Sequence, residues 1–234
     1  MSMRVLIVDD QDLFRAGFRL ILDTQPDITV VGEAADGLEA VERALELQPD
    51  VVVMDVRMSR MDGVAATARI CAETSAKVLV LTMFHLDEYV YAALRAGASG
   101  FLLKDLRREQ LVEAVRVIAA GDALLAPTVT RRLIADLAHR GHPRPDLTRQ
   151  LETLTDRERE ILRHLARGLS NAELAATLVL SEHTVKSHIS SVLTKLTLRD
   201  RAQAVVFAYE SGLIVPGREN RRCHQYSRDA SGFI

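Results

Sequence analysis

Five polar side chains directly follow short apolar runs in the first 104 residues: Asp9, Asp10, Asp55, Thr82 and Lys104. The clearest run is residues 51–54, in which four consecutive apolar residues end at Asp55. An apolar run without alternation predicts a strand that is buried on both faces of a parallel sheet. Ligands bind open α/β sheets at the edge formed by the carboxyl ends of their strands. Taken alone, Asp55 fits a helix cap or a turn equally well, but five such groups on one edge predict a site.

The side-chain types indicate which chemistry that site performs. Three carboxylates that lie close together repel one another unless a cation lies among them, and a set of oxygen ligands favours Mg²⁺. We therefore expect Asp9, Asp10 and Asp55 to bind Mg²⁺. With its charge offset, Asp55 can attack a phosphoryl group and form an acyl phosphate. Lys104 and Thr82 would then bind the phosphoryl oxygens.

These residues belong to a regular alternation of strand and helix patterns. The alternation repeats five times in about the first 120 residues, which predicts right-handed βαβ units. The expected fold class is α/β, with a doubly wound five-stranded parallel sheet. Residues 121–150 are interrupted by proline and glycine and predict a linker, in which residues 130–139 could form one short helix.

Composition limits the class of protein further. The 234 residues are 48% hydrophobic with a net charge of −2, and the first 120 contain 13 basic and 19 acidic side chains. Any nucleic-acid surface therefore belongs to the less acidic later part. Cys71 and Cys223 stand far apart, which argues against a disulfide framework or a zinc site. No apolar segment reaches the roughly 18 residues of a membrane span, so we expect a soluble cytoplasmic protein.

From residue 151 to residue 214 the patterns predict four helices. Two capping boxes, Thr155 with Glu158 and Ser170 with Glu173, begin the first two helices, and Ser181 caps the third. The short turn before Ser181 predicts a helix-turn-helix. Residues 215–234 contain four arginines and few apolar residues, which predicts a disordered tail.

The third of these helices has an outer face of small hydrogen-bonding side chains. Ser187 and Ser190 lie opposite its apolar face, with Lys186 on the flank. Such side chains can bond to base edges in a DNA major groove. An ordinary solvated helix face is the alternative from the pattern alone.

Residues 3–120 resemble the receiver domain of bacterial two-component response regulators, which has a flavodoxin-like fold. The resemblance is carried by Asp9, Asp10, Asp55, the loop 58–63, Thr82 and Lys104 within residues 100–104. It implies that Asp55 accepts a phosphoryl group from a cognate sensor histidine kinase. It also implies that the carbonyl of Val56 is a further Mg²⁺ ligand and that Phe101 is the aromatic switch residue.

Residues 154–214 resemble the LuxR-type DNA-binding domain of the NarL/FixJ subfamily. The match includes Thr184-Val185-Lys186 and His188 on the third helix, which is the recognition helix of that family. The resemblance implies DNA contacts by Thr184, Lys186, Ser187, His188, Ser190 and Lys195. It also implies dimerisation through the fourth helix, by Ala202, Val205, Val206 and Tyr209.

Together the two resemblances imply a response regulator transcription factor, not an enzyme, that binds promoter DNA as a homodimer. The domains would be residues 1–120, a linker 121–150, residues 151–214 and a tail 215–234. One alternative is a Mg²⁺-dependent phosphohydrolase with an aspartyl-phosphate intermediate, but it needs a general acid at position 57, which is Arg57. Another is a DNA-binding regulator that is never phosphorylated, which only Ser59 and Met83 support.

Overall fold

The computed structural model describes residues 2–83, 87–121, 124–125 and 144–214. Within these ranges the chain forms a parallel sheet with helices on both faces, followed by a unit made only of helices. The predicted α/β class with a doubly wound parallel sheet is therefore confirmed, and so is the helical second part.

The sheet contains the five predicted strands and one short addition. The strands are β1 (Met3–Val8), β2 (Ile28–Ala34), β3 (Val51–Asp55), β4 (Lys77–Thr82), β5 (Gly100–Leu103) and β6 (Leu124–Leu125). Their order is β2-β1-β3-β4-β5-β6, and every neighbouring pair is parallel. Strand β6 lies in the segment predicted as a linker, because a two-residue strand is too short to leave a periodic signal in the sequence.

Five helices cover the sheet on its two faces. They are α1 (Asp12–Asp23), α2 (Gly37–Leu47), α3 (Gly63–Glu73), α4 (Asp87–Arg95) and α5 (Arg108–Ala119). Successive strand residues alternate between two apolar cores: Leu6, Val52 and Val80 pack with α2, α3 and α4. Val5 and Val53 pack on the other face with α1 and α5. This double cover explains why the strands are apolar at every position.

The second unit contains the four predicted α-helices, one further α-helix before them and a short 3-10 helix, Leu151–Thr153. The α-helices are α6 (Pro145–Gln150), α7 (Asp156–Ala166), α8 (Asn171–Leu178), α9 (Glu182–Lys195) and α10 (Arg201–Glu210). Both predicted capping boxes are present at the starts of α7 and α8, and the Ser181 side chain accepts a hydrogen bond from the Thr184 N–H at the start of α9. In the ranges that the structure describes, no helix combines the length and apolar character needed to cross a membrane.

Some boundaries differ from the sequence predictions. The sequence pattern predicts the last helix of the second unit from Leu198 to Ser211. Helix α10 instead begins at Arg201, because the Asp200 side chain accepts a hydrogen bond from the Gln203 N–H and caps the helix there. Thr197 has φ of 54°, a left-handed conformation that ends the preceding helix. The predicted helix over residues 130–139 and the predicted tail lie outside the described residues.

Helix α10 packs between α7 of its own unit and α4 of the sheet unit. Side chains from both units form one continuous apolar cluster that includes Val90 and Leu94 of α4 and Val206 and Phe207 of α10. The second unit is therefore docked against the first along this helix.

Candidate functional site

The strand register aligns the predicted site residues on one edge of the sheet. Val8 pairs with Met54, Asp55 pairs with Leu81, and Thr82 pairs with Leu103. Each predicted site residue is therefore at the carboxyl end of its strand or next to it. Because the strands are all parallel, their carboxyl ends lie on the same edge of the sheet.

Asp9, Asp10 and Asp55 come together at this edge. Each offers one carboxylate oxygen, and these three oxygens all lie within 4.8 Å of one another. Asp9 and Asp55 are buried, whereas Asp10 is exposed. One Asp55 oxygen accepts a hydrogen bond from the Val56 N–H at 2.8 Å, and one Asp9 oxygen accepts from the Gln11 N–H at 3.0 Å. Backbone donors thus fix both buried carboxylates while leaving one oxygen of each for another partner.

Lys104 supplies the positive charge of the cluster. Its Nζ lies 2.6 Å from Asp9 Oδ2 and 3.0 Å from Asp55 Oδ2, and its side chain is 1% exposed. The Phe14 ring lies beneath the ammonium, with 4.6 Å between Nζ and the ring centroid. Phe14 was missed from the sequence. The sequence shows only that an aromatic residue lies on the helix after the paired aspartates. A position in the apolar core explains such a residue equally well.

Burial shifts the acid–base behaviour of Asp55. The pKa of Asp55 is raised, first because burial disfavours the charged carboxylate and also because Asp9 is near. The Lys104 ammonium opposes this shift. A cation bound beside these carboxylates would favour the charged form of Asp55.

One oxygen of the cluster is suited to bind such a cation, and one nitrogen is suited to bind an anion. Asp9 Oδ2 and Lys104 Nζ are buried, and among the described residues neither has a hydrogen bond of normal geometry. The two atoms offset each other's charge across 2.6 Å, and a metal ion beside Asp9 and a phosphoryl group beside Lys104 would give each the bond that it lacks. Three carboxylates with no nitrogen or sulfur donor among them fit Mg²⁺.

The loop after β3 approaches the site through Gly63. A Cβ at this position would lie 1.9 Å from the Asp55 carbonyl oxygen, so only glycine fits. The Gly63 N–H donates to the Val56 carbonyl at 2.8 Å. A carbonyl oxygen has a second lone pair, so this bond is compatible with the predicted role of Val56 as a metal ligand, which stays a prediction.

The predicted sensing residues lie on the two neighbouring strands. Thr82 ends β4 and is 2% exposed, and its carbonyl accepts a hydrogen bond from the Lys104 N–H at 2.8 Å. Phe101 on β5 is 1% exposed, and its side chain points into the core that contains α4. The structure therefore places Thr82 and Lys104 at the edge of the sheet that carries the site. Phe101 lies on β5 in the apolar core.

The predicted DNA-contact residues occupy the outer part of α9. Lys186, Ser187 and Ser190 are exposed, and Thr184 and His188 are half-buried. The Lys195 ammonium lies 2.7 Å from Glu158 Oε2 on α7, so this side chain also connects two helices. These positions are compatible with the predicted DNA contacts, which stay predictions.

Glu158 has a structural role that its position in a capping box did not reveal. It is 4% exposed, and its carboxylate accepts hydrogen bonds from Lys195, Ser191 and Thr155. Burial alone would raise the pKa of Glu158, but these donors together lower it to about 2. A charged carboxylate therefore fastens α9 to α7.

The predicted dimerisation residues are all buried in this structure. Ala202, Val205, Val206 and Tyr209 are between 0% and 8% exposed. The Tyr209 hydroxyl donates to the Ala166 carbonyl of α7 at 3.1 Å. Tyr209 therefore bonds within its own unit, Val206 belongs to the apolar cluster that both units share, and dimerisation through these residues stays a prediction.

Comparisons with known proteins agree with this two-part architecture. The family described as "Response regulator receiver domain" matches residues 5–116, and the family described as "Bacterial regulatory proteins, luxR family" matches residues 152–208. The transcriptional regulatory protein LiaR of Bacillus subtilis is 41% identical over 213 residues, which cover 91% of this chain and 99% of LiaR. The response regulator protein VraR of Staphylococcus aureus is 42% identical over 215 residues, covering 92% of this chain and 100% of VraR.

Solved structures of response regulators also match most of the chain. The response regulator ChrA of a heme-sensing two-component system is 39% identical, with a TM-score of 0.50, and the match covers 91% of this chain and 99% of ChrA. A structure of two RcsB dimers bound to two parallel DNAs is 25% identical, with a TM-score of 0.52, over 90% of this chain and 99% of that chain.

Proposed function

Because this chain belongs to the transcriptional response regulators, which join a receiver domain to a luxR-family DNA-binding domain, we propose that phosphorylation of Asp55 controls sequence-specific DNA binding by its helical unit. The family is one of transcriptional regulators rather than enzymes, so the acyl phosphate serves as a stored signal. The observation that supports the proposal best is the convergence of Asp9, Asp10, Asp55 and Lys104 at one edge of the sheet.

The phosphodonor in this proposal is a phosphohistidine of a sensor histidine kinase. An Asp55 oxygen attacks phosphorus, the P–N bond breaks, and the leaving imidazole nitrogen keeps the electron pair and takes up a proton. The Lys104 ammonium, 3.0 Å from Asp55, offsets charge on the transferred group. When bound by Asp9, Asp10, Asp55 and the Val56 carbonyl, Mg²⁺ supplies the remaining positive charge.

The signal then passes to the sensing residues. Thr82 and Lys104 end neighbouring strands beside Asp55, so both are placed to bond to phosphoryl oxygens. Phe101, three residues before Lys104, is proposed to change rotamer as β5 and the adjacent α4 adjust. The shift in population cannot exceed the difference in contact free energy between the two states.

The DNA-binding part of the proposal rests on α9. Its exposed side chains Lys186, Ser187 and Ser190 can contact base edges or phosphates, and Thr184, His188 and Lys195 are proposed contacts to the DNA backbone. By analogy with the DNA-bound RcsB dimers, the active form is a homodimer on paired half-sites about one helical turn apart. We place the regulator in the cytoplasm with the promoter DNA, with domain limits at residues 120, 150 and 214.

A DNA-binding experiment tests this function. Protein treated with acetyl phosphate and Mg²⁺ should bind DNA from its own promoter region more tightly than untreated protein, by at least about tenfold (~1.4 kcal/mol). Asp55→Asn should show no gain. Asp105→Asn, which removes an exposed carboxylate next to Lys104, should gain affinity like the wild type. An equal gain in Asp55→Asn would refute the proposed role of Asp55.

A further inference from the structure

The Lys104 ammonium has an aromatic ring among its neighbours as well as two carboxylates. Lys104 Nζ lies over the Phe14 ring, 4.6 Å from its centroid, and 2.6 and 3.0 Å from one oxygen each of Asp9 and Asp55. The electron-rich face of a ring attracts a cation within about 6 Å of its centroid, most strongly where water is excluded. Because the Lys104 side chain is only 1% exposed, the ring is a third partner of the ammonium.

The two ion pairs alone leave the position of this ammonium loosely defined. In the part of the chain that the structure describes, Lys104 Nζ has no hydrogen bond of normal geometry. A lysine side chain is flexible, and its ammonium acts as a point charge. Asp9 and Asp55 are also proposed Mg²⁺ ligands, so a second cation shares their oxygens. A phenyl ring is not a ligand for Mg²⁺, so the contact with Phe14 does not depend on the metal.

The helix after the paired aspartates places the ring at this point. Phe14 and Phe18 are four residues apart on α1 and share one face, with 5.9 Å between their ring centroids. Phe14 is one turn nearer the start of α1, which follows the carboxyl end of β1. The Arg15 guanidinium donates to the Asp9 carbonyl at 2.6 Å. This bond fastens the first turn of α1 to the segment that carries the paired aspartates.

An apolar core position is the simpler explanation of Phe14, and Phe18 shows what such a position looks like. Phe18 is 7% exposed and lies among apolar side chains. Phe14 is only half-buried, and its face is turned to a buried charge. Core packing needs an apolar side chain of the right volume, whereas attraction of an ammonium needs an electron-rich ring face. The two explanations therefore predict different responses to substitution.

We propose that Phe14 is a positioning residue for the phosphoryl transfer, whose ring face holds the Lys104 ammonium where the transferred group arrives at Asp55. This inference rests on the proposed function, in which Asp55 accepts the phosphoryl group. A charge that is already in place stabilises the transferred group without reorganisation. Without the ring, Asp9 is the nearer of the two carboxylates and draws the ammonium away from Asp55. Phe14 thus acts through Lys104 and not on the reacting atoms.

Fluorination of the ring tests this attraction while keeping the apolar bulk of the side chain. Full-length protein is made with mono-, di- or trifluorophenylalanine at position 14, because each fluorine withdraws electrons from the ring face. Intact mass follows the rate of phosphorylation by acetyl phosphate with Mg²⁺. The matched control is the same series at Phe18, which lies on the same helix and beside Phe14.

We expect the rate to fall with each fluorine added at position 14, by at least about fivefold in total. The series at position 18 should stay within about twofold of the wild type. Phe14→Tyr keeps an electron-rich face and should restore most of the rate, whereas Phe14→Met keeps only apolar volume and should not. In a Lys104→Gln background, fluorination at position 14 should have no effect.

Nuclear magnetic resonance detects the contact itself without phosphorylation. The chain contains four lysines, Lys77, Lys104, Lys186 and Lys195, so lysine-labelled protein gives few side-chain signals. Lys104→Gln identifies the Lys104 signal by its loss. The ring should shift the ε-methylene protons of Lys104 upfield in the wild type and in Phe14→Tyr, but not in Phe14→Met. The urea midpoint shows whether each variant is folded, and the fluorinated series remains decisive if Phe14→Met is not.

Four results would overturn the inference: an unchanged rate across the series at position 14, an equal fall at position 18, a fall that persists in the Lys104→Gln background, or no upfield shift of Lys104. The proposed function fails in a different way. No adduct in the wild type would contradict that function and this inference with it. A wild-type adduct together with an unchanged rate across the Phe14 series would contradict the inference alone.

Discussion

Glu158 offers a quantitative test of how α9, the proposed recognition helix, is positioned. Its buried carboxylate on α7 accepts hydrogen bonds from Lys195 and Ser191 of α9, both at 2.7 Å. Glu158→Gln keeps the size and shape of the side chain but removes its charge. We expect the variant to weaken the attachment of α9 to α7, because a neutral amide cannot form an ion pair with the Lys195 ammonium.

The magnitude follows from the pKa of Glu158. The folded value of about 2 lies below the ordinary value of 4.5, a difference equivalent to about 3.4 kcal/mol at most. The Lys195 side chain is 37% exposed, so water screens its part of the interaction. We therefore expect Glu158→Gln to lower the free energy of unfolding by about 1–2 kcal/mol at neutral pH.

The sign of the pH dependence is fixed by the lowered pKa. The charged carboxylate contributes its stability fully above the unfolded pKa near 4.5, and this contribution disappears as pH falls toward about 2. The difference between wild type and variant should therefore be largest above pH 5, by this linkage, and shrink steadily in more acidic solution.

Urea unfolding of the full chain, followed by circular dichroism at several pH values, measures this difference. Hydrogen exchange of the α9 amides locates the loss. Glu160→Gln is the matched control, because Glu160 lies on the same helix but pairs with Arg157 at the surface; its effect should stay below about 0.5 kcal/mol. Equal losses in the two variants, or a difference that does not depend on pH, would refute this reasoning.

Three other substitutions have specific expected outcomes. Gly63→Ala should lower the rate of phosphorylation by acetyl phosphate at least about tenfold, because the new Cβ would collide with the Asp55 carbonyl and displace the site. Val179→Gly should raise the free energy of unfolding by about 1 kcal/mol in urea denaturation, because Val179 is 90% exposed and has φ of 53°. Lys186→Ala should weaken DNA binding in gel-shift assays with an unchanged urea midpoint, because Lys186 is exposed on α9; unchanged affinity would contradict its assignment.

The parts of the structure that depend on local sequence were predictable. The apolar runs identified the five main strands, and the regular alternation with helices required their carboxyl ends to share one edge. The sequence therefore predicts that Asp55, Thr82 and Lys104 lie near one another. The capping boxes at Thr155 and Ser170 were equally visible, because each is set by residues three positions apart.

Features that depend on distant contacts were not predictable. The ring of Phe14 beneath Lys104 joins residues 90 positions apart in the chain, and no local pattern marks such a pair. The division of α10 between two partners also escaped prediction. Its apolar residues cover most of the helix, so the sequence could not show that Gln203 bonds to the end of α4 while Tyr209 bonds to α7.

We propose that the carboxylate cluster at the strand edge makes Asp55 the phosphoacceptor. The direct test is the intact mass of the full chain after incubation with acetyl phosphate, followed by mapping of the modified residue. We predict one phosphoryl adduct that requires Mg²⁺, maps to Asp55, persists in Asp105→Asn and is absent from Asp55→Asn. No adduct in the wild type, or an adduct of the same size in Asp55→Asn, would contradict the account.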